Sequence, residues 1–226
     1  MRVVQPTGTR GSLKWIQRFV AEKPGALQPA ALPEVLWLSP LASDGFAEYR
    51  DAAFLERIGC GHLAQDLAEF WPARGPQWDA LGMTSRGPVL VEAKAHLQEF
   101  FSPPSKAGDA SLGKIKSALS AVQQELAISP GTDWTRIFFQ YANRLAHLWF
   151  LHRHGVAADL VFVSFVGDAG MRGPDRPEVW QAAFAAADYA LGLPRIHALS
   201  RHVHHVHPDT RLLADHTTQD WSNHQS

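Results

Sequence analysis

Only one cysteine, Cys60, occurs in 226 residues, which excludes an internal disulfide and any cysteine-built zinc cage. An excess of basic charge is missing as well. The 21 Lys and Arg residues meet 22 Asp and Glu, for a formal net charge of −1. No global field therefore draws the chain to nucleic acid or to an anionic membrane, and any such contact must come from a local patch. No run approaches the roughly 20 apolar residues needed to span a bilayer. Residues 1–10 are polar, with Pro6 and Gly8, and lack the apolar core of a signal peptide. Internal repeats are absent. These absences leave a cytoplasmic protein as the simplest expectation. What remains is ordinary globular material: 46% hydrophobic and 19% charged residues, with twelve Phe and eight Trp to fill a core. The length suits one large domain and is short for two.

Along the chain, Leu13, Ile16 and Phe19-Val20 fall at helical spacing over 12–21, and Pro24-Gly25 ends that helix. The apolar run Val35-Leu36-Trp37-Leu38, closed by Ser39-Pro40, fits a strand or a packed turn. Ser43-Asp44-Gly45 offers capping chemistry for a helix from Phe46 to Ile58, stopped by Gly59 and Gly61. Residues 62–70 are ambiguous. Phe70-Trp71, Trp78 to Thr84 and Val89 to Lys94 then read as three strands of an antiparallel meander, with turns at Gly75-Pro76 and Arg86-Gly87-Pro88. Residues 101–113 form a loop, and a helix from Ile115 to Leu126 ends at Ser129-Pro130-Gly131. An aromatic amphipathic helix follows from Trp134 to His152. Leu160 to Val166 is a nearly continuous apolar run, the pattern of a central strand buried on both faces. A helix from Glu178 to Leu191 and a strand from Ile196 to Val206 close the fold, and a polar tail beyond Pro208 is expected to fray. The order implies an α/β protein with a mixed sheet and helices on both faces. It is expected to be a single domain: an N-terminal extension 1–44, a core near 45–166, a C-terminal helix and strand over 167–208, and a tail at 209–226.

Chemistry concentrates in Gly75-Pro76-Gln77-Trp78-Asp79-Ala80-Leu81-Gly82 and Val89-Leu90-Val91-Glu92-Ala93-Lys94. Glu92 and Lys94 are two apart on a strand, so both side chains leave one face. A hairpin brings Asp79 beside Glu92. Two carboxylates so placed suit Mg²⁺ or Mn²⁺, hard cations that take oxygen ligands, and a neighbouring lysine can hold or help deprotonate a metal-bound water. The plainer reading of Glu92 and Lys94 is an exposed salt bridge of little energetic weight. Against it stands the apolar run before Glu92, because core strands rarely carry idle charges.

These residues resemble the PD-(D/E)xK, or restriction-endonuclease-like, nuclease superfamily. The likeness extends over about 120 residues through element order. It implies an αβββαβ core with an aspartate on the second strand (Asp79), Glu-x-Lys on the third (Glu92 and Lys94) and a glutamate on the first helix. Trp78 rather than proline precedes Asp79, with Pro76 three positions upstream. The resemblance implies a Mg²⁺- or Mn²⁺-dependent nuclease acting on DNA or RNA, in which Asp79, Glu92 and the Ala93 carbonyl hold the metal. Lys94 would orient the attacking water and Glu48 would complete the site, being favoured over Glu56 by helical phase. Gln140 and Arg144, one turn apart on the Trp134 helix, would face the site and the nucleic-acid backbone, Arg144 through a phosphate. The alternative for this helix is tertiary packing, with Asn143 and His147 as a buried polar network. The segment Phe139 to Leu148, Phe-Gln-Tyr-Ala-Asn-Arg-Leu-Ala-His-Leu, also looks like that of a bacterial protein group, a likeness that implies no activity. A catalytically inactive member of the fold, binding nucleic acid or a protein partner, is the other functional expectation.

Other candidates are weaker. Lys106, Lys114 and Lys116 could build a local basic patch, although a solvated loop explains them. His202, His204, His205 and His207 divide two and two across their strand with no partner carboxylate evident, so a surface strand is expected rather than a metal site. Cys60 and His62 lie too close in sequence to form a catalytic dyad.

Overall fold

The computed structural model describes residues 1–128 and 131–213. The helices are α1 (Gly11–Glu22), α2 (Ala52–Arg57), α3 (Ala64–Phe70), α4 (Leu97–Phe100), α5 (Asp109–Glu125), α6 (Phe139–Arg153) and α7 (Pro177–Leu191). The strands are β1 (Arg2–Val3), β2 (Leu36–Ser39), β3 (Glu48–Tyr49), β4 (Ala80–Thr84), β5 (Gly87–Lys94), β6 (Asp159–Ser164) and β7 (Val203–Val206). Five of them form one mixed sheet in the order β2-β4-β5-β6-β7. The pairs β2–β4 and β4–β5 are antiparallel, whereas β5–β6 and β6–β7 are parallel. The small strands β1 and β3 pair antiparallel by themselves.

The alternation of β5 divides the core. Val89, Val91 and Ala93 join Val161, Val163 and Phe165 against Trp15, Ile16 and Phe19 of α1. Leu90, with Leu160 and Phe162, faces Leu145 and Leu148 of α6 and Phe184 of α7. Every residue of β6 is buried, the apolar Leu160–Val163 as well as the polar Asp159 and Ser164 at its ends, as in a central strand covered on both faces. The sheet with helices on both faces therefore follows the sequence pattern.

Several elements differ from expectation. Phe70 ends α3 and Trp71 is extended after it, so the first antiparallel strand is β2, from the Val35–Leu38 run. The helix expected from Phe46 begins only at Ala52. Gly45, Phe46 and Asp51 all have positive φ, of 60°, 48° and 53°, which a right-handed helix cannot contain. Asp44 caps nothing; its carboxylate is taken by Arg2 and by the Tyr49 hydroxyl. Likewise α6 starts at Phe139 rather than Trp134. Phe138 has φ 45°, and the Asp133 carboxylate accepts from the backbone N–H and the hydroxyl of Thr135, which holds a turn. The loop after Phe101 is shorter than expected, with α5 beginning at Asp109. The last strand covers only 203–206, because Ser200–His202 form a 3-10 turn. Beyond Pro208, Thr210 and Leu213 are buried in another such turn. The rest of the expected tail, 214–226, and Ser129-Pro130 lie outside the described residues. Among those described, no helix is long and apolar enough to cross a membrane.

Candidate functional site

Strand register places the first two carboxylates. Ala80 opposes Val91 and Leu81 opposes Leu90, so one step further along the hairpin Asp79 comes beside Glu92. Asp79 lies just before β4, where its carboxylate replaces a strand partner. Its Oδ2 accepts from the Ala93 N–H at 2.6 Å. Glu92 and Lys94 leave the α6 face of β5, and Lys94 bonds Glu92 through its ammonium and Gln140 Oε1 at 3.0 Å. The second Glu92 oxygen accepts from Arg144 Nε at 2.6 Å. Arg144 is held further by its Nη1 to Asn143 Oδ1 and its Nη2 to the Gln77 carbonyl, each at 2.9 Å. Its guanidinium lies 4.9 Å from the Trp78 ring centre, a cation–π contact.

Glu48 arrives by a route the sequence reading missed. It stands on β3, not on a helix, and β3 is positioned by its pairing with β1 and by the bridge from Tyr49 to Trp78. The Glu48 carboxylate accepts from the side-chain amides of Gln5 and Gln77. Glu56 lies exposed on α2, away from the cavity. Helical phase is therefore not what distinguishes the two glutamates.

A cavity of about 670 Å³ gathers Glu48, Asp79, Glu92, Lys94, Gln140, Arg144 and Lys106 on its wall, together with Arg74 and Asn143. Ala93 contributes its backbone beneath. Lys114 does not join; its ammonium is tied to the Ala68 carbonyl at 2.9 Å. Lys116 sits exposed on α5 and does not line the cavity. Of the three lysines weighed as a basic patch, only Lys106 lines the cavity. Gln77, Gln5 and Arg74 are the contributors that sequence reasoning overlooked. Gln77 had a signal, since it adjoins Trp78 and Asp79. Nothing local marks Gln5.

The electrostatics follow from burial and crowding. Burial raises the Asp79 carboxyl well above its usual range, and repulsion from Glu92 and Glu48 adds to it. Glu48 is pushed up to about 7, chiefly by burial, against the amides of Gln77 and Gln5. Burial works in the same direction on Glu92, but the charges of Arg144 and Lys94 outweigh it and hold that carboxyl below its usual value. The same attraction to Glu92 and Asp79 overcomes burial at Lys94 and raises its ammonium.

Among the described residues, no three His, Cys, Asp or Glu side chains are arranged to hold a metal ion. Both Glu92 oxygens are taken by cations, Lys94 and Arg144. The donor chemistry nevertheless suits a hard cation. Three carboxylates share the cavity, and burial, with repulsion from the neighbouring carboxylates added to it, drives Asp79 and Glu48 toward protonation.

The other candidates resolve plainly. His202 Nδ1 and His204 Nε2 lie 3.3 and 3.0 Å from Asp159 Oδ1. A partner carboxylate therefore does exist, supplied by the start of β6. His205 packs instead against the rings of Phe162 and Phe184. Cys60 is buried and free; burial raises its thiol, the opposite of what a nucleophile needs. Asn143 and His147 do join buried polar contacts, His147 Nδ1 donating to the Asn143 carbonyl at 2.8 Å.

Comparison with family models, curated proteins and solved structures yields no match to this chain. Function is therefore read from the residues and their geometry.

Proposed function

We propose that the chain is a divalent-metal-dependent phosphodiesterase acting on DNA or RNA, with a restriction-endonuclease-like αβββαβ core. One observation carries the reading: a single cavity at the end of β5 collects Glu48, Asp79, Glu92 and Lys94. Asp79, Glu92 and the Ala93 carbonyl would hold Mg²⁺ or Mn²⁺. When bound, the ion supplies a Lewis acid and lowers the pKa of a coordinated water. Lys94, already held by Gln140, orients that water and stabilises charge at the attacked phosphate. Glu48 takes a proton or a water-mediated contact at the far wall. Lys106 and Arg74 offer phosphate contacts at the mouth. The succession α1, β2, β4, β5, α6, β6 supports the fold reading, with α2 and α3 inserted between the first two sheet strands.

The pairing of Glu92 with two cations favours a second reading, a catalytically inactive nuclease-like module that binds nucleic acid or a protein partner. Thermal melts separate the two. At ten times its Kd, Mn²⁺ should stabilise the wild type by about 1.4 kcal/mol, a Tm rise of about 3–5 °C, and leave Asp79→Asn unmoved. Lys94→Ala should keep the fold and lose Mn²⁺-dependent cleavage of nucleic acid. Equal metal shifts in wild type and Asp79→Asn would discard the metal site and leave the binding module.

A further inference from the structure

Arg144 sits where the proposed metal would need a free carboxylate oxygen. Both Glu92 oxygens are in use, one by the Lys94 ammonium and the other by the Nε and Nη2 of Arg144. Asp79, by contrast, commits only one oxygen to a protein donor among the described residues, the Ala93 N–H. A divalent ion bridging Asp79 and Glu92 must therefore take an oxygen away from one of the two cations. Lys94 is anchored by Gln140 as well as by Glu92 and lies on the same strand as its partner. Arg144 reaches in from α6, and Glu92 is the one carboxylate it bonds among the described residues. Its other partners, the Asn143 amide oxygen and the Gln77 carbonyl, are neutral. It lines the same cavity as Lys106 and Arg74, so a change of side-chain rotamer keeps it within the site.

We infer that Arg144 is the resident counter-ion of Glu92 in the metal-free protein, released when a divalent cation binds and then available to a phosphate of the substrate. This rests on the phosphodiesterase reading above. The physical basis is charge balance. A guanidinium within hydrogen-bond distance of Glu92 and a dication on the same carboxylate repel one another, whereas a phosphodiester accepts the planar fork of arginine readily. Metal and phosphate then strengthen each other's binding, because each stabilises the arrangement in which Arg144 has left Glu92. Arg144 is on this account a competitor of the metal at Glu92 and a phosphate ligand for the substrate.

The test follows Mn²⁺ binding by the signal of the free ion in electron paramagnetic resonance, using full-length protein. The probe for phosphate is a single-stranded oligodeoxynucleotide with uncleavable phosphorothioate linkages. In the wild type, the oligonucleotide should tighten Mn²⁺ at least tenfold. In Arg144→Gln, Mn²⁺ alone should bind at least tenfold more tightly than in the wild type, and the oligonucleotide should add less than threefold. Arg144→Lys should fall between the two. A wild-type readout covers the case in which the substitutions do not fold: phenylglyoxal labelling of Arg144, read by mass spectrometry, should accelerate at least threefold at saturating Mn²⁺. Mn²⁺ affinity that is unchanged or weaker in folded Arg144→Gln, or labelling indifferent to Mn²⁺ in a wild type that binds it through Asp79, overturns the role of Arg144 alone. Absence of Asp79-dependent Mn²⁺ binding in every protein overturns the phosphodiesterase reading with it.

Discussion

Glu48 shows how one side chain can carry an unfavourable charge for the sake of a site. It is 6% exposed, and its carboxyl is raised from 4.5 to about 7 by burial, with Glu92 contributing. The native state therefore holds this proton more tightly than the unfolded chain. The associated stability is fully present below about pH 4.5 and is lost as pH rises through about 7. Glu48→Gln keeps an oxygen for Gln5 and Gln77 without the charge. It should match the wild type near pH 5 and exceed it at pH 8 by on the order of 2 kcal/mol, read from urea midpoints at both values. Equal midpoints at pH 8 would mean that Glu48 is already relieved by solvent. His147 provides the opposite case. It is 2% exposed in a box of Phe54, Phe70, Trp71 and Trp78, and burial lowers it from 6.5 to about 3. Below pH 6.5 the unfolded chain takes up a proton that the native chain refuses until about pH 3, so acid destabilises the fold across that window. At pH 4.5 the loss is roughly 3 kcal/mol. His147→Phe should flatten the dependence of urea midpoint on pH between 6.5 and 4.5, and an unchanged slope would assign it to other groups.

At the scale of elements, the β4–β5 hairpin is the best-read part of the chain and the piece on which the site depends. Its two-residue turn sets the register that brings Asp79 to Glu92. Gly87 is required there: its φ is 150°, and a Cβ would stand 2.1 Å from the Ala157 carbonyl oxygen. Gly87→Ala should cost about 2 kcal/mol or more in urea unfolding, and a loss below about 0.5 kcal/mol would show that the turn relaxes cheaply. The hairpin was legible because its signals are local: a turn at Arg86-Gly87-Pro88 and an apolar run into Glu92. The segment 46–51 was misread for the complementary reason. Its residues suit a helix by composition, but their conformation is fixed by Arg2 on Asp44 and by the β1 strand. The start of α6 was misplaced in the same way, since Trp134 is buried by its indole N–H on the Leu191 carbonyl rather than by a helical turn.

At the scale of the molecule, the first five residues act on a site far from them in sequence. Val3 pairs with Glu48, the Gln5 N–H donates to the Gly45 carbonyl, and the Gln5 amide reaches Glu48 itself. Deleting residues 1–5 should destabilise the fold by on the order of 2–3 kcal/mol, from several backbone and side-chain hydrogen bonds at about 1 kcal/mol each. If Glu48 belongs to the reaction, activity should fall more than the lost stability explains. Unchanged urea midpoints in the shortened chain would show that β3 holds its place unaided.

What the sequence determined by itself was the local grammar: the class of fold, the buried central strand of Leu160–Val166, and the common face of Glu92 and Lys94, which a period of two imposes on any strand. Register in a short hairpin added Asp79. The tertiary structure alone decided that Glu48 arrives on a strand held by the N-terminal residues, that His202 and His204 share Asp159, and that Arg144 already occupies Glu92. Each of these joins residues more than 40 positions apart. Such contacts depend on which faces of the sheet and helices meet once the apolar core has closed, and no periodicity within one segment encodes that choice.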